Sequence, residues 1–306
     1  MKKFLKLFYN LIKYPASLIF FKTPLKKILI SYMKNYRSIK NRGLLFKFIS
    51  TLFWEEYYNK LDLKEKDRIR DLTLSFGEGK LWASQYYKEK LQTFDDLKKI
   101  KIGSMTKFDC NIIYTKIFNY VEDLSKTFDH KNIYLLQIGS SSGRDLNFFR
   151  NYFPKINFIS TDINDEILNF QKKNYNYPNF KFFKLYAKNI KECIKHFDIY
   201  EKKKIIFSIG SAQYFSPVEL DIFFNAISKL NDVEFFLDEP ISIDFLNQNK
   251  HSSHRHNISY NHKYDEYAEK NELIIVKKKI TFPFSKKDLN HLDTCNYFLQ
   301  CRSNNS

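Results

Sequence analysis

The 306-residue chain is 43% hydrophobic and 28% charged, which excludes a wholly disordered polymer and leaves room for about two domains. Seven Gly and seven Pro exclude collagen-like and linker-rich architectures, and four Cys (Cys110, Cys193, Cys295, Cys301) without a C-x-x-C pair or zinc spacing imply free thiols in a reducing compartment. The net charge of +17 is concentrated at one end: residues 1–54 hold twelve Lys or Arg and no acid precedes Glu55, which points to an anionic partner such as a membrane surface, nucleic acid or an acidic glycan.

The first predicted elements are helical. Residues 1–14 place Phe4, Leu7, Phe8, Leu11 and Ile12 on one face, and Pro15 interrupts them. Thr23 and Pro24 offer a cap and a first helical position to a second helix, in which Leu25, Ile28, Leu29, Tyr32, Met33 and Tyr36 share a face. A third apolar segment spans residues 44–61, and helical patterns continue to about residue 126. The longest uncharged stretch near the N-terminus, Tyr14 to Phe21, is far short of the roughly 20 residues a membrane span needs. Lys6 and Lys13 break the apolar run that a signal peptide would require. Residues 1–126 are therefore expected to be an all-helical region led by a basic amphipathic arm, residues 1–42.

From about residue 132 short apolar runs alternate with helical periods, the mark of a βαβ sheet with helices on its faces. The predicted strands are 133–138, 157–161, 180–186, 204–209 and 233–237. Asn164 caps a helix opening with Asp165 and Glu166, and Ser216-Pro217-Val218-Glu219 combines a capping box with Pro at the first position. Asn261 precedes a helix with Tyr264, Tyr267 and Ala268 on one face. Two further runs, 273–280 and 294–301, lack an intervening helix and are expected to pair as an antiparallel hairpin. The predicted second domain is 127–306.

The most informative segment is Leu135-Leu136-Gln137-Ile138-Gly139-Ser140-Ser141-Ser142-Gly143-Arg144-Asp145: a buried strand, a small-residue loop, then a helix with Leu146, Phe149 and Phe153 on one face. Small residues allow close backbone approach to a ligand, and a helix start offers free N–H groups to an anion. Nineteen residues after Gly143, Asp162 ends the second strand, where a carboxylate can accept both hydroxyls of a ribose.

Here the chain resembles the class I S-adenosylmethionine-dependent methyltransferases, whose first motif is an acid followed by G-x-G-x-G. The present version is Gln137-x-Gly139-x-Ser141-x-Gly143, with Gln for the acid and Ser for the middle glycine. A dinucleotide fingerprint would need glycine at position 144, which is Arg144. The resemblance covers about residues 130–302 and implies an α/β, Rossmann-like, mostly parallel seven-stranded sheet ending in an antiparallel hairpin. It implies S-adenosyl-L-methionine as cofactor, bound by Gln137, Gly139, Ser141, Gly143, Asp162, Ile163, Tyr186, Ser208 and Gly210. Tyr186 stands where an Asp often reaches the adenine amine.

Ligands of such sheets lie outside the carboxyl ends of the strands, so Ser208-Ile209-Gly210-Ser211-Ala212-Gln213-Tyr214 and Asp238-Glu239-Pro240 are expected to border the reacting methyl group. Four of seven His (His251, His254, His256, His262) fall within twelve residues. The H-x-x-H-x-H run has no established ligand geometry, so a solvated loop is expected and no metal is assigned. His256 and Tyr214 are the candidates for catalysis, His256 as general base toward an acceptor hydroxyl.

The resulting expectation is a methyltransferase acting on oxygen of a sugar or cell-surface glycan precursor, cytoplasmic and peripheral to the inner membrane face through residues 1–42. Two alternatives stay open: a catalytically degenerate methyltransferase fold used as a binding module, and a nucleic-acid methyltransferase. Against the latter, neither N-P-P-Y-like nor D-P-P-Y-like motifs nor a Pro-Cys dipeptide occurs.

Overall fold

Alternating apolar strands and amphipathic helices can bury their faces together only as a layered α/β unit. The computed structural model describes residues 91–255, 259–283 and 294–304, all within one compact unit, Glu78–Ser306. The basic arm 1–42 and His256 lie outside the described residues. Helix α1 (Phe94–Lys99) opens on a capping box between Thr93 and Asp96. A two-residue hairpin, β1 (Lys101–Ile102) and β2 (Met105–Thr106), leads to α2 (Lys107–Cys110) and α3 (Ile113–Thr127). The sheet domain continues with β3 (Ile133–Ile138), α4 (Arg144–Tyr152), β4 (Asn157–Asp162), α5 (Asp165–Asn174) and β5 (Phe180–Lys184). Then come α6 (Ile190–His196), β6 (Lys203–Ile209), α7 (Pro217–Ser228), β7 (Val233–Ser242) and α8 (Ile243–Leu246). A hairpin of β8 (Ser252–His254) and β9 (Tyr260–His262), helix α9 (Tyr264–Lys270), β10 (Ile274–Thr281) and β11 (Thr294–Arg302) complete the order.

Seven strands form one sheet in the order β10-β11-β7-β6-β3-β4-β5. β3 to β7 are parallel, and β11 runs antiparallel to both β7 and β10, as the sequence predicts. The chain winds outward from β3 to β5, then returns to β6 on the other side of β3. The reversal of winding therefore lies between β3 and β6, where open α/β sheets take their ligands.

Each face of the sheet is covered. On one, Leu136, Ile206 and Leu237 pack with Ile194, Phe223 and Tyr267 from α6, α7 and α9. On the other, Leu135, Phe207 and Phe236 meet Ile117, Phe148 and Phe149 from α3 and α4. Helix α3 buries Ile113, Tyr114, Ile117 and Val121 at helical spacing, each worth about 1.5–3 kcal/mol. Leu97 of α1 and the buried face of α3 are thus part of the sheet's own core.

Two local expectations are corrected. The third strand stops at Lys184, where its parallel ladder with β4 ends on the bond from the Leu185 N–H to the Asp162 carbonyl, so Tyr186 lies beyond it. β7 extends to Ser242 because β11 pairs with it from Glu234 to Ser242. Asn261 precedes α9, as the sequence predicts. It sits in β9, where its Oδ1 accepts from the Ser242 N–H at 2.8 Å.

Candidate functional site

The loop after β3 bends through three left-handed residues, Gly139 (φ +62°), Ser141 (φ +50°) and Gly143 (φ +76°). For Ser141 this conformation costs roughly 1 kcal/mol or more. The carboxylate of Asp162 offsets the strain: one oxygen accepts from the Ser141 N–H at 3.1 Å, the other from the Asn164 N–H at 3.0 Å. Burial pushes this carboxyl up to about 6, against the pull of the Asn164, Ser141 and Ile163 N–H groups. Beneath the loop, Gln171 of α5 donates to Ser140 Oγ (2.9 Å) and to the Ser141 carbonyl (2.5 Å), and accepts from Ser160. Gln171 is fully buried although polar, on the same face as Ile167 and Leu168. A polar residue in an apolar stripe was the signal that could have marked it.

The two motif glycines are demanded by the protein's own side chains. A Cβ on Gly139 would lie 2.5 Å from Ser211 Oγ and 2.6 Å from Ser211 Cβ, and one on Gly143 would lie 2.8 Å from the Tyr175 ring. Ser211 Oγ donates to the Gly139 carbonyl at 2.9 Å, joining the loops after β3 and β6 across the reversal point. Gly210 differs: a Cβ there would meet only Gln213 Nε2, at 3.9 Å, an ordinary contact, so a methyl-sized group fits beside it. Gly139→Ala is expected to destabilise the protein by about 2–3 kcal/mol, combining left-handed strain with the contact on Ser211. Urea unfolding checks this. Adding Ser211→Gly should recover the contact part, so that the double variant costs less than the two single ones together.

On the α3/α4 face the rim is polar and buried. Gln137 donates to Asp145 at 3.2 Å, Tyr114 donates to the other oxygen of Asp145 at 2.6 Å, and Arg144 lies 3.4 Å from it. Burial alone would raise Asp145, yet Arg144, Lys107, Tyr114 and Gln137 together hold it below the usual carboxylate range. The Gln137 amide oxygen is buried with no partner. Asp238, at the same level on β7, is 2% exposed, and neither of its oxygens completes a hydrogen bond, although Asn111 and the Ile113 N–H lie beside it. Burial pushes Asp238 up to about 8. Lys107, Asn111 and Tyr114 come from residues before the sheet, and sequence reasoning missed them because nothing in their spacing signals a site.

On the opposite face Glu239 organises the loop after β6. Its carboxylate accepts from Ser208 Oγ (2.6 Å) and from the N–H groups of Ser211 (3.0 Å), Ala212 (2.9 Å) and Gln213 (3.2 Å). Burial pushes Glu239 up to about 7 against these donors. Ser208 is thus tied to Glu239. Tyr214 ends the short 3-10 turn Ala212–Tyr214 and is half-buried. Gln213 donates to the Gly210 carbonyl at 2.8 Å.

The structure brings Gln137, Gly139, Ser141, Gly143, Asp162, Ser208 and Gly210 together along one edge of the sheet, with Ile163 and Tyr186 half-buried just past β4 and β5. Among the described histidines, His262 is a core residue. Its Nε2 donates to the Phe215 carbonyl at 3.0 Å, and its Nδ1 accepts from Ser252 at 2.6 Å. Burial pulls it down to about 3, so it stays neutral. His251 pairs with Glu266. No group of metal-binding side chains occurs among the described residues, and no helix among them is long and apolar enough to cross a membrane.

No family model and no curated protein matches the chain. Solved structures do match in chain path. A geranyl diphosphate C-methyltransferase from Streptomyces coelicolor is 8% identical over 61% of this chain and 80% of its own, with a TM-score of 0.43. An S-adenosylmethionine-dependent methyltransferase from Clostridium acetobutylicum is 13% identical over 62% and 92%, with a TM-score of 0.40. Phosphoethanolamine N-methyltransferase 2 from Haemonchus contortus is 11% identical over 60% and 52%, with a TM-score of 0.41. The strand order itself defines the architecture: a Rossmann-like, mostly parallel seven-stranded sheet closed by an antiparallel hairpin.

Proposed function

We propose that this chain is a class I S-adenosylmethionine-dependent methyltransferase that methylates an oxygen of a sugar or cell-surface glycan precursor. The observation that carries the reading is Asp162. Its carboxylate stands at the end of β4 beside the reversal point and is hydrogen-bonded to the Gly139–Gly143 loop. Each oxygen keeps a lone pair with which to accept a ribose hydroxyl. The other groups at this edge fit the same ligand. The unpartnered Gln137 oxygen can accept from an ammonium, the buried Ser141 hydroxyl lacks a partner, and the space beside Gly210 can admit a methyl group.

The bound cofactor supplies a methyl group on sulfur that is already activated for displacement. The chain's residues then orient the acceptor and exclude water. Gln213, held by Glu239, and Tyr214 orient the acceptor, and the acceptor's hydroxyl proton passes to His256 as general base. Residues 1–42 would place the enzyme on an anionic membrane surface. Calorimetry with S-adenosylhomocysteine tests the proposal. Micromolar binding is expected. Neither heat nor a thermal shift at millimolar ligand would sink it.

A second reading is favoured by a specific observation: Ser211 and Tyr175 already occupy the space beside both motif glycines. In that reading the fold is a binding module without transfer chemistry, and the same titration would give no heat.

A further inference from the structure

Arg255 is a half-buried cation with neutral partners. It follows β8, and its guanidinium reaches the edge between β6 and β7. There Nη1 donates to Gln213 Oε1 and to the Pro240 carbonyl, each at 3.0 Å. Those two bonds use both hydrogens of Nη1. Nε is buried and has no hydrogen-bond partner, and among the described residues Nη2 donates to none. Glu239, whose charge acts on Arg255, is engaged by four donors of the β6 loop and forms no ion pair with it.

Holding a guanidinium partly out of water without an anion is costly, and an unpaired buried N–H costs about 1–3 kcal/mol more. The unpaired edge is also a particular one. Nε–H and one Nη2–H point in parallel and match the two oxygens of a carboxylate or phosphate. Gln213 fixes where this edge lies. Its Nε2 donates to the Gly210 carbonyl at 2.8 Å, while its Oε1 accepts from Arg255, so one amide separates the guanidinium from Gly210. Unlike Gly139 and Gly143, Gly210 can take a methyl-sized group beside it with only an ordinary contact. A group gripped by Nε and Nη2 would therefore belong to a molecule whose reactive end can reach that space.

We infer that the acceptor carries an oxyanion, a carboxylate or a phosphate, and that Arg255 takes it through the Nε–Nη2 edge next to Gly210. This rests on the methyltransferase reading and narrows it to anionic acceptors. Gln213 is then a positioning residue for the oxyanion, since it orients the guanidinium that takes it.

The test uses the full chain saturated with S-adenosylhomocysteine. Inorganic phosphate and acetate are titrated separately, against chloride at equal ionic strength, and read by calorimetry and thermal midpoint. One of the two anions is expected to bind saturably, and which one does identifies the oxyanion. Arg255→Gln should weaken that binding by at least about tenfold, and Arg255→Lys, which keeps charge but loses the fork, should fall between. Affinity for S-adenosylhomocysteine should stay within about twofold in both variants. The inference is overturned if neither anion binds above the chloride control, or if Arg255→Gln and Arg255→Lys bind the anion as the wild type does. Saturable anion binding without any response to S-adenosylhomocysteine would support the oxyanion site while removing the methyltransferase reading.

Discussion

Asp162→Ala is expected to weaken binding of S-adenosylhomocysteine by about 100-fold or more. Two hydrogen bonds from ribose hydroxyls to an ionised carboxylate contribute roughly 1.5–3 kcal/mol each, and about 2.7 kcal/mol is a hundredfold in affinity. The loop adds to the loss. Without the carboxylate, the Ser141 N–H loses its acceptor and the left-handed bend loses its tie. Asp162→Asn separates these effects from mere volume, because its amide NH2 would face backbone donors. Calorimetry on wild type and both variants, with thermal midpoints measured alongside, checks the expectation. Unchanged affinity in either variant that remains folded would show that Asp162 does not hold the ribose. A pH signature should accompany it. Burial holds the free protein's Asp162 up at about 6, and hydrogen-bond acceptance from the ligand favours the ionised form. Affinity should therefore fall as pH drops from 7 to 5.

How much of this was legible in the sequence depends on the kind of signal. Runs such as Ile133–Ile138 and Lys203–Ile209 are apolar through their middles (Leu135-Leu136, Ile205-Ile206-Phe207), so their burial on both faces and their parallel pairing followed from composition, while the polar residues buried near their ends, Gln137 and Ser208, belong to the site. The Ser216 capping box and the Asn164 cap formed because each satisfies backbone donors locally. The small-residue loop and Asp162 were found as a pair because turn chemistry and strand ends are both local. What stayed hidden depends on long-range contact. Lys107, Asn111 and Tyr114 reach Asp145 and Asp238 from before the sheet, and Arg255 reaches Gln213 across 42 residues. The loop glycines were read as room for a ligand, yet two of them serve Ser211 and Tyr175. Sequence shows that a position must be small. It does not show which neighbour requires it.

Asp238→Asn is expected to become progressively more stabilising, relative to wild type, as pH rises. Asp238 is buried beside Glu239 and Lys107, and its folded-state proton is held up to about 8 against 3.8 when unfolded. An acid raised in this way contributes stability that is complete below pH 4 and is lost as pH climbs through 8. Glu239, held up to about 7, has the same sign. His262 has the opposite sign, but its contribution changes between 6.5 and 3. Asp145, Asp221 and Asp265 are held below their usual values and lose theirs only in more acid solution. The window from pH 6.5 to 8 is therefore dominated by Asp238 and Glu239, with Asp162 (about 6) finishing its titration at the lower edge and Lys204, which burial pulls down to about 8, adding a smaller contribution of opposite sign at the upper edge. Across it, wild-type unfolding free energy in urea should fall by about 1–2 kcal/mol, since each fully transferred proton is worth about 1.4 kcal/mol per pH unit. The asparagine variant cannot ionise. Its slope should be shallower, and its advantage over wild type should grow by about 1–2 kcal/mol across the window. Parallel pH profiles would mean that Asp238 is already ionised at pH 6.5, with Lys107 as its counterion. In that case the same substitution should destabilise the protein at every pH, because Lys107 would lose its charge partner.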